Sequence, residues 1–586
     1  MRLSIHRKIY VVLLCLLAAS MTTSVFATNL IWTLLLVNWV AEWNWKEKFS
    51  NFRSNYLLQA FLVLLFVHLL WLIGTSNMHY ALFDLQKKLP LFAIPLVVLT
   101  SRPLEQKERL NVGIAYTAAV MVVSIIGVVR YFTIPDLPYR DIIPYISHIR
   151  YGLNVCMTLV LLVYAAVRYR LPWLYALNAL LILWFVLVLL MLHSYTAFII
   201  LLVMPLVLLL GYGRSLSRKS HTTVVLLYCG LLVALAALVG RYAYDYYHLQ
   251  PLSSEPLEAY TANGTPYRHC HDGLIENGNY IHLNVCEQEL RQQWETLSDY
   301  PIDSLTPVGY SVYPALLRYL NGMGVTKDSL GMTHLTPADV AAIEKGIANP
   351  VYLQHGPRKM LYVLFYEYEN YRCCHSVSNF SVLQRLELWK AGWQVFLHHP
   401  FMGVGTGDVV DATHQQLRAS ESPLADTDLH THNQYLNFLL AFGLLGFGLI
   451  AFFFIRAIIN AFKQSNNQTF KYSHILYLAF LCILLISFIS EDTLETLAGI
   501  TFSVMGFALL SRGVPPCTPE NDALGVHGGT PLQFHVPLPH PSQRHPHHIP
   551  PHPIHRHPCW CLHRRRLSQR AGFGGGHSPF YRAFHF

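Results

Sequence analysis

Residues 398–448 read "HHPFMGVGTGDVVDATHQQLRASESPLADTDLHTHNQYLNFLLAFGLLGFG". The stretch passes from a glycine-rich loop, through a polar segment dense in Asp and His, into an apolar run. That last run, 434–455, matches the roughly 20 residues that cross a bilayer as a helix. Working outward, similar runs occur at 9–25, 27–41, 56–74, 80–100, 111–132, 151–167, 173–191, 194–212, 222–240, 474–490 and 496–511. The chain of 586 residues is 53% hydrophobic and 13% charged, against about 25% charged in a soluble domain. The mean hydropathy is +0.34. The expectation is an all-α polytopic membrane protein of about twelve transmembrane helices. The first run resembles a signal peptide in its flanking Arg2, Arg7 and Lys8. It lacks a clear cleavage site and a second run follows at once, so it is read as a span.

Lys and Arg near helix ends set orientation. With a cytoplasmic N-terminus, Lys46, Lys48 and Arg53, then Arg102, Lys107 and Arg109, then Arg168 and Arg170, Arg214, Arg218 and Lys219, Arg456, Lys463 and Lys471, and Arg512 all fall inside. Lys87 and Lys88 fall within the fourth run, where they either line a polar groove or mark a break before Pro90. The chain then divides into nine spans over 1–240, a large extracytoplasmic loop over 241–433 and three spans over 434–512. The loop is far longer than an ordinary connection, and its helix signals predict a mainly helical cap. Thr336 as N-cap, Pro337 and Asp339 open one helix that stops at Asn349-Pro350, and a second runs over 382–397. An oxidising compartment would permit a Cys270–Cys286 bridge, with Cys373 and Cys374 free or in crossed pairs. Residues 513–586, rich in Pro, His and Arg, cannot bury a core; they read as a disordered tail or an out-of-frame end. A metal tract at Cys559 and Cys561 is the other reading, and the spacings match no tetrahedral pattern.

The loop "GVGTGD" lacks the Lys-Ser/Thr ending or the preceding strand that nucleotide loops need. Gly403, Gly405 and Gly407 therefore either present N–H groups to an anion or let the chain turn tightly after Pro400. A donor usable outside the cytoplasm must carry its own activation, as does a glycan linked through pyrophosphate to a polyprenol. Its transfer needs cations for the pyrophosphate, a base for the acceptor hydroxyl and a groove for the lipid. Arg385, on a helix with Trp389, Trp393 and Phe396, supplies a fork for phosphate oxygens. His432, at the start of the tenth span, can take a proton at neutral pH. Asn433 and Gln434 are placed to orient a sugar or the imidazole. Gly443, Gly446 and Gly448 suit close helix packing. Asp426, Asp428, His430 and His432 alternate and would share one side of an extended segment, a set able to bind a divalent ion. Flexible acidic loops are the commoner source of such a pattern, and no metal and no cofactor are expected. An exporter of polysaccharide or lipid-linked oligosaccharide is the rival class, disfavoured by the lack of an internal repeat.

The combination of "HPFMGVGTGD", a polar gap and "HNQYLNFLLAFGLLGFG", preceded by "QRLELWKAGW", resembles the O-antigen ligase and polymerase family. The stretches "YISHIRYGLNVCMTLVLL" and "RYLNGMGVTKDSLGMTHLTPADVAAIEKGIAN" look like members from Bacteroidetes. The resemblance implies a C-type glycosyltransferase architecture in the bacterial inner membrane, with the large loop periplasmic. It implies a polyprenyl-pyrophosphate-linked glycan donor and a glycan, lipid A-core or protein acceptor, with no nucleic acid partner. It implies metal-independent, inverting transfer, with Arg385 as the pyrophosphate-binding arginine and His432 as the essential histidine. One departure is visible: where many members carry Ser-Arg, this chain has Ser194 followed by Tyr195. Arg150 or Arg318 is the candidate replacement cation.

Overall fold

The structure, a computed structural model, describes residues 2–512 except 136, 170, 213–217, 252–255, 272–273, 308, 355, 375–380, 426, 428 and 464–467. The tail 513–586, with its proposed metal tract, lies outside the described residues. Each of the twelve apolar runs is helical, because a segment in hydrocarbon must satisfy its backbone internally. In chain order the helices before the cap are α1 (Arg2–Ser20), α2 (Val25–Ala41), α3 (Trp45–Ser54), α4 (Tyr56–Leu70), α5 (Met78–Lys87), α6 (Leu89–Thr100), α7 (Gln106–Thr133), α8 (His148–Tyr169), α9 (Pro172–Leu192), α10 (Tyr195–Tyr212) and α11 (Arg218–Tyr247). Polar residues start several of them: Ser24, Asn55 and Asn77 each accept a backbone N–H in the first turn of α2, α4 and α5.

Among the described residues, five helices are long and apolar enough to cross a membrane, or six if α2 and α3 form one broken span bent by 115°. Shorter apolar helices lie at Tyr56–Leu70, Tyr195–Leu210, His474–Ser490 and Leu497–Leu510. The fourth run breaks at Lys88 into α5 and α6, with Pro90 in the first turn of α6. Of the two readings for the lysine pair, Lys88 marks the break and is buried, whereas Lys87 lies over the Phe83 ring at 4.1 Å. Leu180, Leu183 and Leu187 of α9 and Val122, Ile125 and Val129 of α7 stay exposed, which suits a lipid-facing surface and no aqueous one. With its long apolar helices, the chain is a multi-pass membrane protein.

After α11 comes the cap. A small hairpin pairs β1 (Ile275–Glu276) with β2 (Asn279–Tyr280), and α12 (Glu287–Leu297), α13 (Val312–Met323), α14 (Ser329–Met332) and α15 (Pro337–Glu344) pack beside it. Trp294, Leu316, Tyr319, Leu320 and Ile343 form its own apolar core. Thr336 and Asp339 make the reciprocal capping box expected of α15. The helix ends at Lys345, earlier than the expected stop, because Gly346 takes a left-handed φ of 87°. Cys270 and Cys286 are free thiols, one exposed and one buried, so the permitted bridge is not formed here. Then follow α16 (Pro357–Cys374), α17 (Ser381–His398), α18 (Val409–Ala419), α19 (Gln434–Lys463), α20 (Gln468–Ser490) and α21 (Leu497–Leu510).

The bundle packs α1 on α2 and α7, α4 on α19 and α6, and α8 and α10 on α20. At one end the basic loops meet. Arg7 pairs with Glu108, Arg102 with Glu47 at 3.0 Å, and Arg109 and Arg512 donate to backbone carbonyls around residues 98–104 and 512. Arg7, Arg102, Arg109 and Arg512 are four of the cations that the Lys/Arg pattern assigns to a single side.

The glycine loop enters a break in α19. Gly443 has φ 61° and ψ −168°, and the chain 400–405 pairs with the opened turn: Leu444 N donates to Pro400 O (2.9 Å) and Val404 N to Leu440 O (2.8 Å). A Cβ at Gly443 would stand 2.3 Å from the Phe401 backbone. Gly443→Ala therefore combines a forbidden backbone with a clash and should cost about 2 kcal/mol or more, read as a lowered thermal midpoint of the purified protein. An unchanged midpoint would show that α19 is not broken there.

Candidate functional site

Between α20 and α21 the chain turns through "SEDTLE", residues 490–495. Glu491 N bonds Ser487 O at 2.8 Å, and the Ser487 and Thr493 hydroxyls meet at 3.0 Å, so the turn is held from behind. Glu491 and Asp492 are both buried, 3% and 6% exposed, which for carboxylates demands partners. They have them. Arg385 Nη2 lies 2.8 Å from Glu491 Oε1, and Arg150 Nη2 lies 3.6 Å from Glu491 Oε2 and 3.3 Å from Asp492 Oδ1. Two guanidinium groups from α17 and α8 thus grip two carboxylates from one turn, and the four charges balance.

His432 closes the group. Its Nδ1 is buried, has no hydrogen bond among the described residues, and stands 3.8 Å from Asp492 Oδ1, too far for a direct bond. The residue itself has φ 48°, the left-handed region that a non-glycine residue seldom occupies. Such a conformation persists only when its surroundings enforce it, and it is concentrated at functional sites. Enforcement comes from both neighbours: Thr431 O accepts from Trp389 Nε1 at 2.8 Å, and Asn433 Oδ1 caps α19 by accepting Leu436 N at 3.0 Å.

Gln434 is fully buried and spans the gap to the acidic turn. Its Oε1 accepts Leu494 N at 2.8 Å and its Nε2 donates to Glu495 at 3.2 Å. Glu495 also accepts from Asn437 at 2.8 Å and pairs with Lys88 at 2.9 Å, while Lys88 pairs with Asp84 at 2.7 Å. One lysine therefore stands between two carboxylates and ties the α5–α6 break to the same turn that carries Glu491 and Asp492.

The structure brings together Arg385, His432 and Arg150 of the expected residues. Asn433 and Gln434 are adjacent but are committed to the helix cap and to the turn. Ser194 is buried, accepts Ala197 N at 3.4 Å and packs where Gly152 leaves room, so it starts α10. Gly403, Gly405 and Gly407 lie against the backbones of Leu440, Trp71 and Asn77, and Gly405 N is spent on Ala441 O, so the tight-turn reading describes them. Arg318 pairs with Glu276 inside the cap at 2.9 Å. Asp426 and Asp428 lie outside the described residues, but His432, Glu491 and Asp492 do offer three ligand atoms within 4.8 Å of one another. A cation there would have to displace the two arginines that already neutralise the carboxylates.

Sequence reasoning missed Glu491, Asp492 and Glu495. Their signal was three acids and no base in a six-residue break between apolar runs, which the orientation rule passes over because acids weigh little in it. It also missed Arg140, His148 and Glu367: the charges of Arg140 and Arg385 reach both His148 and Glu367.

The fold and site are those of a helical multi-pass membrane protein with two arginines, paired carboxylates and a strained histidine brought together. Residues 346–451, which include Arg385, His432 and the broken start of α19, match the O-antigen ligase family. Such enzymes act on glycan and lipid-linked substrates. No curated protein matches the chain.

Proposed function

We propose that the protein transfers or polymerises glycan from an undecaprenyl-pyrophosphate-linked donor at the periplasmic face of the bacterial inner membrane, the acceptor being lipid A-core, another glycan or protein. The observation that carries this reading is the sharing of Glu491 between Arg385 and Arg150 beside His432. In the empty site the carboxylates hold the guanidinium groups in place. An arriving pyrophosphate offers more charge and more acceptor oxygens, and takes over both forks. Arg150 then stands in for the arginine that Tyr195 replaces, and no metal is required.

Release of Asp492 from Arg150 lets it close the 3.8 Å gap to His432 Nδ1. A carboxylate there keeps the proton on Nδ1 and leaves Nε2 as base, the orienting role of an acid behind a catalytic histidine. The acceptor hydroxyl oxygen attacks the anomeric carbon from the face opposite the pyrophosphate and its proton passes to Nε2. The carbon–oxygen bond to phosphate breaks, with its electron pair leaving on undecaprenyl pyrophosphate. Negative charge grows on the phosphate oxygen as that bond breaks, so the arginines stabilise the transition state more than the bound donor.

Arg385→Lys keeps the charge but loses the fork. It should lower kcat by about 10²-fold while changing donor affinity only a few-fold. Equal losses in both would assign Arg385 to binding alone. The activity itself is tested with the purified protein in liposomes, supplied with lipid-linked glycan and an acceptor. Joined or lengthened glycan and released undecaprenyl pyrophosphate support transfer. Movement of labelled donor across the bilayer without a new glycosidic bond would establish the exporter instead.

A further inference from the structure

Glu367 is a buried acid on α16 that the mechanism above does not use. It is 7% exposed, and its Oε2 has no hydrogen-bond partner among the described residues. Groups from three other segments act on it. The Val382 N–H at the start of α17 reaches its carboxyl, the charges of Arg140 and Arg385 act on it, and its own charge acts on the Tyr195 hydroxyl. Tyr195 in turn donates to Met360 O of α16 at 3.2 Å, fastening α10 to α16. Burial pushes the carboxyl up to about 7, against the opposing pull of Arg140, the Val382 N–H and Arg385.

A buried carboxyl oxygen with no partner is costly and calls for a ligand. Its place excludes one kind. Arg385 is given to the pyrophosphate, and a second anion would not be brought against Glu367. The portion of the donor that reaches it must be neutral and must donate hydrogen bonds. The group next to the pyrophosphate that meets this description is the first sugar, through its hydroxyl or amide N–H groups. We infer that Glu367, near the start of the helix that carries Arg385 and on the helix to which Tyr195 is fastened, forms the subsite that holds the first sugar of the lipid-linked donor. This inference rests on the donor reading above and adds to it the residue that distinguishes a sugar-bearing donor from the bare carrier. The departure at Tyr195 fits the same account: an aromatic hydroxyl in place of an arginine leaves Glu367 free of a strong ion pair on that side.

The test compares two ligands on the full-length protein in nanodiscs: undecaprenyl pyrophosphate, and the lipid-linked glycan extracted from cells that lack this protein. Wild type should bind the glycan-bearing ligand more tightly. Glu367→Ala should weaken that ligand about tenfold and leave undecaprenyl pyrophosphate unchanged. Glu367→Gln, which keeps an acceptor oxygen and the side-chain volume, should lose only a few-fold; it makes the same comparison if the alanine protein does not fold. Arg385→Ala should weaken both ligands. Equal weakening of both by Glu367→Ala, or of neither, overturns the sugar subsite and leaves the donor reading intact. Failure of wild type to bind either ligand overturns the donor reading itself.

Discussion

His432→Ala should lower glycan transfer by about 10²- to 10⁴-fold, the range expected when a general base is removed, with donor affinity changed only slightly. The imidazole makes no hydrogen bond at Nδ1 among the described residues and sits beside the acid pair without bonding to it, so its loss leaves both arginine–carboxylate contacts in place. Its backbone at φ 48° is a complication, since alanine is also strained there. His432→Asn removes that objection, because asparagine tolerates the left-handed region and cannot serve as a base. Both variants should reach wild-type membrane levels, accumulate lipid-linked donor and lose surface glycan in a deletion strain. The ladder that remains would tell joining from chain growth. Wild-type activity in His432→Asn would remove the histidine from the chemistry and reduce the site to a phosphate clamp.

Lys88→Met should cost about 3–5 kcal/mol of stability, the penalty for stripping one partner from a buried ion pair. Lys88 is 5% exposed and stands between Asp84 at 2.7 Å and Glu495 at 2.9 Å; without it one buried and one half-buried carboxylate face each other without a countercharge. The measurement is the thermal midpoint in detergent, together with the amount of protein in the membrane. Adding Glu495→Gln should recover part of the loss, since the amide no longer brings a second charge. Transfer activity should fall further than stability alone explains, because Glu495 lies in the turn that presents Glu491 and Asp492. A midpoint equal to wild type would mean that the lysine is hydrated and that the turn is held by Gln434 and Asn437 alone.

Much of this was legible one residue at a time. The twelve apolar runs, the cap at Thr336 and the helix carrying Arg385 are local or periodic signals, and periodicity survives in a linear text. Arg385 and His432 stood out because their neighbourhoods resemble a known family between residues 381 and 448, within the matched stretch. The glycine loop was ambiguous for a reason that the fold makes plain. A tight turn and an anion nest need the same residues, and only the break at Gly443 shows that Val404 N and Gly405 N already have partners.

What the sequence by itself determined is the class: an all-α chain whose hydrophobic runs are too apolar and too many for water, with a long polar segment between them. Length, composition and charge at helix ends carry that information, because each acts within one turn or one span. The tertiary structure decided the site. Arg150, Arg385, His432 and the acids at 491–492 come from four separate segments, up to 342 positions apart, and meet only because the helices that carry them pack side by side. An ion pair depends on distance in space, which no local pattern encodes. The same reason hid Lys88, read first as an awkward charge in a span, whose two carboxylate partners fix the turn on which the proposed chemistry depends.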